Sequence, residues 1–179
     1  VDEAYIDFGG KSCVDLVRKY DNVLVVRTYS KSRSLAGGRL GFSIGSKEIT
    51  AALMKIKFST NPYSVNRLTL LAGEASLLDQ NYYKENCDKI IMNRRFKKRE
   101  LDKMGFETIP SLTNFLFTRH PAVSGEALYE KLKENGILVR HFNKDRIEDY
   151  IRVTIGTYEQ MKAFVSELRY ILEREEKSR

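Results

Sequence analysis

Apolar positions in the first third of the chain fall in short runs whose spacing changes from segment to segment. Ala4–Phe8 predicts a strand. Val23–Thr28 predicts another, and its four consecutive apolar residues, Val23–Val26, imply burial on both faces. Between them Lys11–Tyr20 has the spacing of a short helix. Strand, helix, strand is the order of a parallel or mixed sheet, and the β-rich run Arg39–Gly45 continues it after Gly37 and Gly38. Lys47–Lys57 is expected to be helical, because Ile49, Leu53, Met54 and Ile56 mostly share one face, and Asn61-Pro62 ends it. From there to Met104 only Gly73 interrupts, which predicts one long helix or two abutting ones.

The pattern resets at Gly105. Phe106–Ile109 and Asn114–Thr118 predict strands, and Ser124–Asn135 predicts a helix with Ser124 as N-cap and Gly136 at its carboxyl end. Ile137–Arg140 and Tyr150–Ile155 predict two more strands, and Tyr158–Glu173 an amphipathic helix followed by a charged, frayed tail, Glu173–Arg179. A second αβ unit joined through the long helix follows.

Composition sets limits on this outline. Hydrophobic residues make up 42% of the 179 and charged residues 31%, enough for one sizeable core or two small ones. No apolar run exceeds four residues and no charged-then-apolar leader is seen, so a soluble, cytoplasmic protein is expected. Cys13 and Cys87 are isolated, which argues against a disulfide scaffold or a zinc site and suits a reducing compartment. The formal charge is +7, from 31 Lys+Arg against 24 Asp+Glu, and favours anionic partners. Lys84–Lys103 holds eight bases and four acids; the interleaved acids and the lack of an aromatic series favour a solvated helix face over a nucleic-acid footprint. The chain opens at Val1, without Met and directly in an expected strand, which suggests part of something longer.

Candidate chemistry concentrates after the most apolar strand. Lys31 stands at its carboxyl end, where open α/β sheets bind ligands, and a lysine amine can condense with a carbonyl cofactor. Ser30 and Arg39 offer a hydroxyl and a guanidinium that can share a phosphate, and Gly37-Gly38 let the backbone return. On spacing alone a solvated basic loop competes with this reading; a Walker loop is excluded because GxxxxGK[ST] is absent. In Asp2-Glu-Ala-Tyr5, the acid suits a heterocyclic nitrogen and the phenol a neighbouring oxygen, with a turn or cap as the alternative role. His120 and His141 have no Ser or Cys partner at recognisable spacing, so no nucleophilic triad is expected. Tyr63 is open between a substrate contact and core packing.

In order along the chain, Asp2-Glu-Ala-Tyr5, Ser30-Lys31, Arg39 eight positions later, Asn61-Pro-Tyr-Ser-Val-Asn66, Ser111-Leu-Thr-Asn-Phe115, Ile137-Leu-Val-Arg140 and Ile151-Arg-Val-Thr-Ile-Gly-Thr157 resemble the fold-type I pyridoxal-phosphate aminotransferases. The histidinol-phosphate aminotransferases are the nearest group. The resemblance implies an α/β fold corresponding to the C-terminal part of such an enzyme. Residues 1–75 would belong to the cofactor-binding large domain, with a mostly parallel sheet, and 76–179 to a connecting helix and a small αβ domain.

It further implies that Lys31 joins pyridoxal phosphate as an imine and moves the proton, that Asp2 pairs with the pyridine nitrogen, that Tyr5 donates to the ring oxygen, and that Ser30 and Arg39 hold the phosphate. Arg140 and Arg152 would grip the anionic end of the substrate. The implied activity is amino transfer between histidinol phosphate and 2-oxoglutarate in histidine biosynthesis, by a cytoplasmic homodimer that binds neither nucleic acid nor membrane. Alternatives are an aromatic aminotransferase or a threonine-phosphate decarboxylase on the same scaffold, or a non-catalytic basic module built on Lys84–Lys103. The family's phosphate-capping loop, ring-stacking aromatic and ring-oxygen Asn lie before Asp-Glu-Ala-Tyr and have no counterpart here, so the chain alone is expected to be a poor catalyst.

Overall fold

The structure is a computed structural model that describes residues 1–177. It forms two compact units, Val1–Cys87 and Asp88–Arg179.

In the first unit β1 (Leu24–Thr28) is the central strand. It pairs antiparallel with β2 (Gly41–Gly45), Leu24 opposite Gly45 and Thr28 opposite Gly41. Along its other edge Asp2 forms a parallel bridge to Val26: the Glu3 N–H donates to the Val26 carbonyl at 2.8 Å and the Val26 N–H to the Val1 carbonyl at 2.9 Å. The pairing is therefore mixed.

The expected strand over Ala4–Phe8 does not form. Asp2 Oδ1 accepts from the Ala4 N–H at 2.9 Å and turns the chain out of the ladder; Ile6–Phe8 is a 3-10 turn ended by Gly9 at φ 108°. The helix expected over Lys11–Tyr20 contracts to a 3-10 turn, Val14–Arg18, because Ser12 Oγ takes the Val14 N–H and the Glu3 carboxylate takes that of Cys13. Nor is β1 covered on both faces: Val25 is fully buried, whereas Val26 is 44% exposed.

Two helices follow. Ser46 Oγ caps α1 (Lys47–Thr60) by accepting from the Ile49 N–H, and Asn66 Oδ1 caps α2 (Arg67–Leu78) by accepting from that of Thr69. α1 buries none of its residues, and Ile56 and Phe58 on it, with Leu68 and Leu78 on α2, are all exposed. The long helical stretch resolves into two helices, because Asp79 interrupts it and then caps α3 (Gln80–Lys103) by accepting from the Tyr82 N–H at 3.1 Å. The division between the two units falls inside α3.

The second unit is a four-stranded antiparallel sheet in the order β3-β4-β6-β5, comprising β3 (Glu107–Thr108), β4 (Phe115–Arg119), β5 (Arg140–His141) and β6 (Ile151–Thr154). Leu116 pairs with Val153 and Thr118 with Ile151, so alternate residues of both strands face one core. Helix α4 (Gly125–Glu134) adds Leu128 and Leu132 to it. Helix α5 (Tyr158–Lys177) adds Met161, Phe164, Val165, Leu168 and Ile171, a stripe at helical spacing. Ser124 caps α4 as expected, and Gly136 closes it at φ 76°, where the Gly136 and Ile137 N–H groups reach the carbonyls of Lys133 and Leu132. That closure occupies Ile137, which is why β5 begins only at Arg140. The charged end of α5 remains helical to Lys177 instead of fraying at Glu173; the last two residues of the expected tail lie outside the described residues.

Candidate functional site

In the first unit Asp2 is bridged to Val26 in the middle of β1, while Tyr5, Ser30, Lys31 and Arg39 lie at the carboxyl end of the strand. The parallel segment Val1–Glu3 runs alongside β1 and delivers Tyr5 there, 5.5 Å from its ring centroid to Lys31 Nζ. The Tyr29 N–H donates to the Leu40 carbonyl at 3.0 Å, carrying the β1–β2 ladder one pair beyond Thr28 and Gly41. Ser30 and Arg39 stand at the next position outward. Arg39 adopts a left-handed backbone at φ 51°, and its Nη1 donates to the Ala36 carbonyl at 3.0 Å. Asp2, Lys31 and Arg39 are exposed, while Tyr5 and Ser30 are half-buried.

The segment holding Asp2 and Tyr5 is anchored by the residue between them. Glu3 is 5% exposed, and its carboxylate accepts from Arg27 Nε at 3.0 Å, from the Ser12 hydroxyl at 2.9 and 3.1 Å, and from the Cys13 N–H. Burial alone would push this carboxyl up, but the Cys13 amide, the Ser12 hydroxyl and Arg27 outweigh it and hold the group below its ordinary range.

In the second unit Arg140 and Arg152 are direct cross-strand partners on β5 and β6, and Phe117 is opposite Arg152 on the other side. Such partners share a face, here the one turned away from the core. The Arg152 guanidinium carbon lies 5.4 Å from the Phe115 ring centroid and 5.7 Å from that of Phe142, and Arg140 lies 5.4 Å from Phe142. Phe117 in turn stacks on Tyr150 at 4.7 Å. Arg152 Nε is buried without a hydrogen-bond partner among the described residues. Like charges opposed across strands are unfavourable, and a buried donor left unmade costs about 1–3 kcal/mol, two terms that an anion beside the pair would relieve.

Other candidates take plainer places. His120 Nδ1 accepts from the Ala122 N–H and Nε2 lies 3.1 Å from the Met104 carbonyl, with the ring against Phe106. His141 Nε2 is 2.6 Å from the Glu148 carbonyl. Tyr63 is 90% exposed and packs in no core. Within Lys84–Lys103, Arg94 and Lys97 are buried rather than solvated: Arg94 donates to the Thr113 carbonyl, and the Lys97 ammonium lies 4.9 Å from the Phe96 ring and 5.0 Å from that of Tyr158. Lys98 pairs with Asp102 at 2.8 Å. The tract is therefore no free row of cations.

Sequence reading missed the aromatic setting of Arg152 and the groups that grip the Lys31 loop, Asp7, Ser32, Arg33 and Tyr83. The first was detectable: Phe115 and Phe117 alternate with the core positions of a strand. The second had no local signal, since its members come from three separate segments.

No helix among the described residues is long and apolar enough to cross a membrane. The histidinol-phosphate aminotransferase of Clostridium botulinum (strain Okra / Type B1) is 48% identical over 172 residues, covering 96% of this chain and 49% of that protein. That of Brachyspira hyodysenteriae is 49% identical over 173 residues, with the same coverage. The chain spans about half the length of the curated relatives it matches. Among solved structures, the histidinol-phosphate aminotransferase from Clostridium acetobutylicum superposes with a TM-score of 0.87 at 29% identity, covering 97% of this chain and 53% of that one. The Sinorhizobium meliloti enzyme, solved in complex with pyridoxal-5'-phosphate, gives 0.84 at 27% identity, with 97% and 48% covered. The sequence profile of aminotransferase class I and II matches residues 1–168, and the chain belongs to that family.

Proposed function

We propose that the protein to which this chain belongs transfers an amino group between histidinol phosphate and 2-oxoglutarate in histidine biosynthesis, with pyridoxal phosphate as cofactor, as a cytoplasmic homodimer. The chain then corresponds to the carboxyl-terminal half of the enzyme. The observation that carries the reading is the Arg140–Arg152 pair with its orphaned Arg152 Nε, a site calling for an anion. A guanidinium fork accepts either a phosphate or a carboxylate, which the two half-reactions present in turn.

The groups in the first unit suit pyridoxal phosphate in the chemistry they offer. Lys31 has an exposed primary amine for the aldehyde, Tyr5 a phenol beside it for the ring oxygen, and Asp2 an exposed carboxylate for the ring nitrogen. Ser30 and Arg39, one step past the ladder, suit the phosphate. When bound, the cofactor supplies an electron sink that lets the substrate's amine-bearing carbon release its proton. Lys31 takes that proton and returns it. Asp2 keeps the ring nitrogen protonated, and Arg140 and Arg152 hold the anionic end of the substrate so that the reacting carbon stays in place.

The test uses the full-length protein. Titration with pyridoxal phosphate should produce an absorbance band that Lys31→Ala abolishes, and histidinol phosphate should outcompete phenylalanine and threonine phosphate as amino donor. Lack of a Lys31-dependent band overturns the cofactor reading. A band with preference for either other substrate overturns the substrate.

A further inference from the structure

Lys31 is an exposed side chain with four rotatable bonds, so its amine is placed only as well as its backbone is held. The holding comes from an unexpected quarter. Tyr5 and Asp7, two residues apart at the start of the Ile6–Phe8 turn, meet consecutive residues of the lysine loop. The Tyr5 ring faces Lys31 Nζ at 5.5 Å, and Asp7 Oδ2 accepts from the Ser32 hydroxyl. Ser32 is buried while Lys31 is exposed, so the loop inverts between neighbours and the Asp7–Ser32 bond fixes the point of inversion.

Two further contacts back this clamp. The Tyr83 phenol, from α3, hydrogen-bonds the same Asp7 carboxylate; burial first, then the charge and hydrogen bond of Asp7, push that phenol well above its ordinary range, so it stays a donor. The Arg33 guanidinium carbon lies 4.1 Å from the Tyr83 ring centroid, and its Nη1 donates to the Ser76 carbonyl near the end of α2. Lys31, Ser32 and Arg33 are thus gripped one by one from the turn, α3 and α2. Glu3, by contrast, makes its side-chain hydrogen bonds to Ser12, Cys13 and Arg27, outside the lysine loop.

We propose that Asp7 is a positioning residue for Lys31: its hydrogen bond to Ser32 sets the register in which Lys31 and Tyr5 face each other. The consequence for turnover rests on reading Lys31 as the cofactor lysine; the register itself does not.

The experiment is competitive acylation of lysines in the cofactor-free full-length protein with limiting acetic anhydride. Mass spectrometry quantifies the Lys31 peptide against the exposed Lys11. Freed of its register, the amine samples more solvent, so Ser32→Ala should raise relative Lys31 labelling by roughly threefold to tenfold, the scale of one ordinary net hydrogen bond. Asp7→Asn should do the same. The double variant should go no further than Asp7→Asn alone, because that substitution already disturbs the bond to Ser32 along with the contact to Tyr83, and Ser32→Thr, which keeps the hydroxyl, should restore the wild-type ratio. In the cofactor-loaded enzyme kcat should fall with donor KM unchanged.

Wild-type Lys31 labelling in Ser32→Ala overturns the proposal, as does additivity in the double variant. Should Asp7→Asn fail to fold, the Ser32→Ala and Ser32→Thr pair decides. Altered labelling without any Lys31-dependent band on cofactor titration would uphold the register and remove the cofactor reading instead.

Discussion

Replacing Glu3 by Gln keeps the side chain's shape and removes its charge. One oxygen becomes an NH2, which cannot accept, so at least one of the donors now served by the carboxylate, Arg27, Ser12 or Cys13, is left facing another donor. Removing one partner of a buried pair costs about 3–5 kcal/mol. The Arg27 side chain is 25% exposed and recovers some water, which places the loss at the lower end, about 3 kcal/mol. At about 2–4 °C per kcal/mol for a chain of this size, Tm should drop by about 6–12 °C. Chemical denaturation gives the free energy, and amide hydrogen exchange should locate the loosening at residues 12–16 and 24–28.

The pH dependence has a definite sign. The folded pKa of Glu3 lies below the ordinary 4.5, so its contribution is complete above that value and is lost as pH falls through the folded pKa. The gap between the wild type and Glu3→Gln should therefore be widest near neutrality and close in acid. A loss under about 1 kcal/mol, or a gap equal at both ends of the pH range, would refute the reasoning.

Three further predictions follow from the second unit. In Gly125→Ala the new Cβ would lie 2.5 Å from the Glu148 carbonyl oxygen and 2.7 Å from the Asp149 carbonyl carbon, both backbone atoms, so denaturant unfolding should show a loss of about 1–3 kcal/mol. Arg152→Leu in the full-length protein removes a buried unmade donor and a like-charge opposition, so Tm should hold or rise while KM for the phosphate donor increases about thirtyfold, the scale of roughly 2 kcal/mol for a charge-assisted bond; a lower Tm with unchanged KM would count against it. Neutralising Arg94 and Lys97 should destabilise the chain by about 2–4 kcal/mol, since both are buried, whereas neutralising exposed Arg95 should not. Salt-dependent retention on nucleic acid that disappears in the Arg95 variant would instead revive the basic-module reading.

What was legible in the sequence was what local pattern encodes. The Met161-to-Ile171 stripe, the Ser124 cap and the Gly136 closure were readable because each is a periodicity or a short-range bond. The same holds for Lys31 at the end of an apolar strand. The errors came where a side chain competed with the backbone. Asp2 takes the Ala4 N–H and ends a strand that the apolar residues alone would continue, and Glu3 with Ser12 dismantles a helix whose spacing was adequate. In Lys84–Lys103, charge counting treated all bases alike, while two of them pack against Thr113 and Tyr158, far away in sequence. Long-range partners of polar groups leave no periodicity, so the Asp7–Ser32 bond and the Arg140–Arg152 opposition had to be seen in the fold.

The two sets of candidate residues are held by different physics, and that difference bears on how each can change. Around Lys31 the scaffold is ionic and hydrogen-bonded: Glu3 ties the Asp2–Tyr5 segment to β1, and Asp7 ties the following turn to the lysine loop. Glu3, Asp7 and Ser32 each sit one or two residues from a group proposed for the cofactor, so a substitution at any of them displaces that group with it. Around Arg140 and Arg152 the scaffold is an apolar core on the opposite face of the sheet, and strand alternation separates the two roles cleanly. Ile151 and Val153 hold the strand while Arg152 and Thr154 point away from what they hold. Residues on that outer face can be exchanged without disturbing the packing that positions them. A scaffold built this way lets the residues around Arg140 and Arg152 change with little cost to the core, while those around Lys31 stay locked to one arrangement.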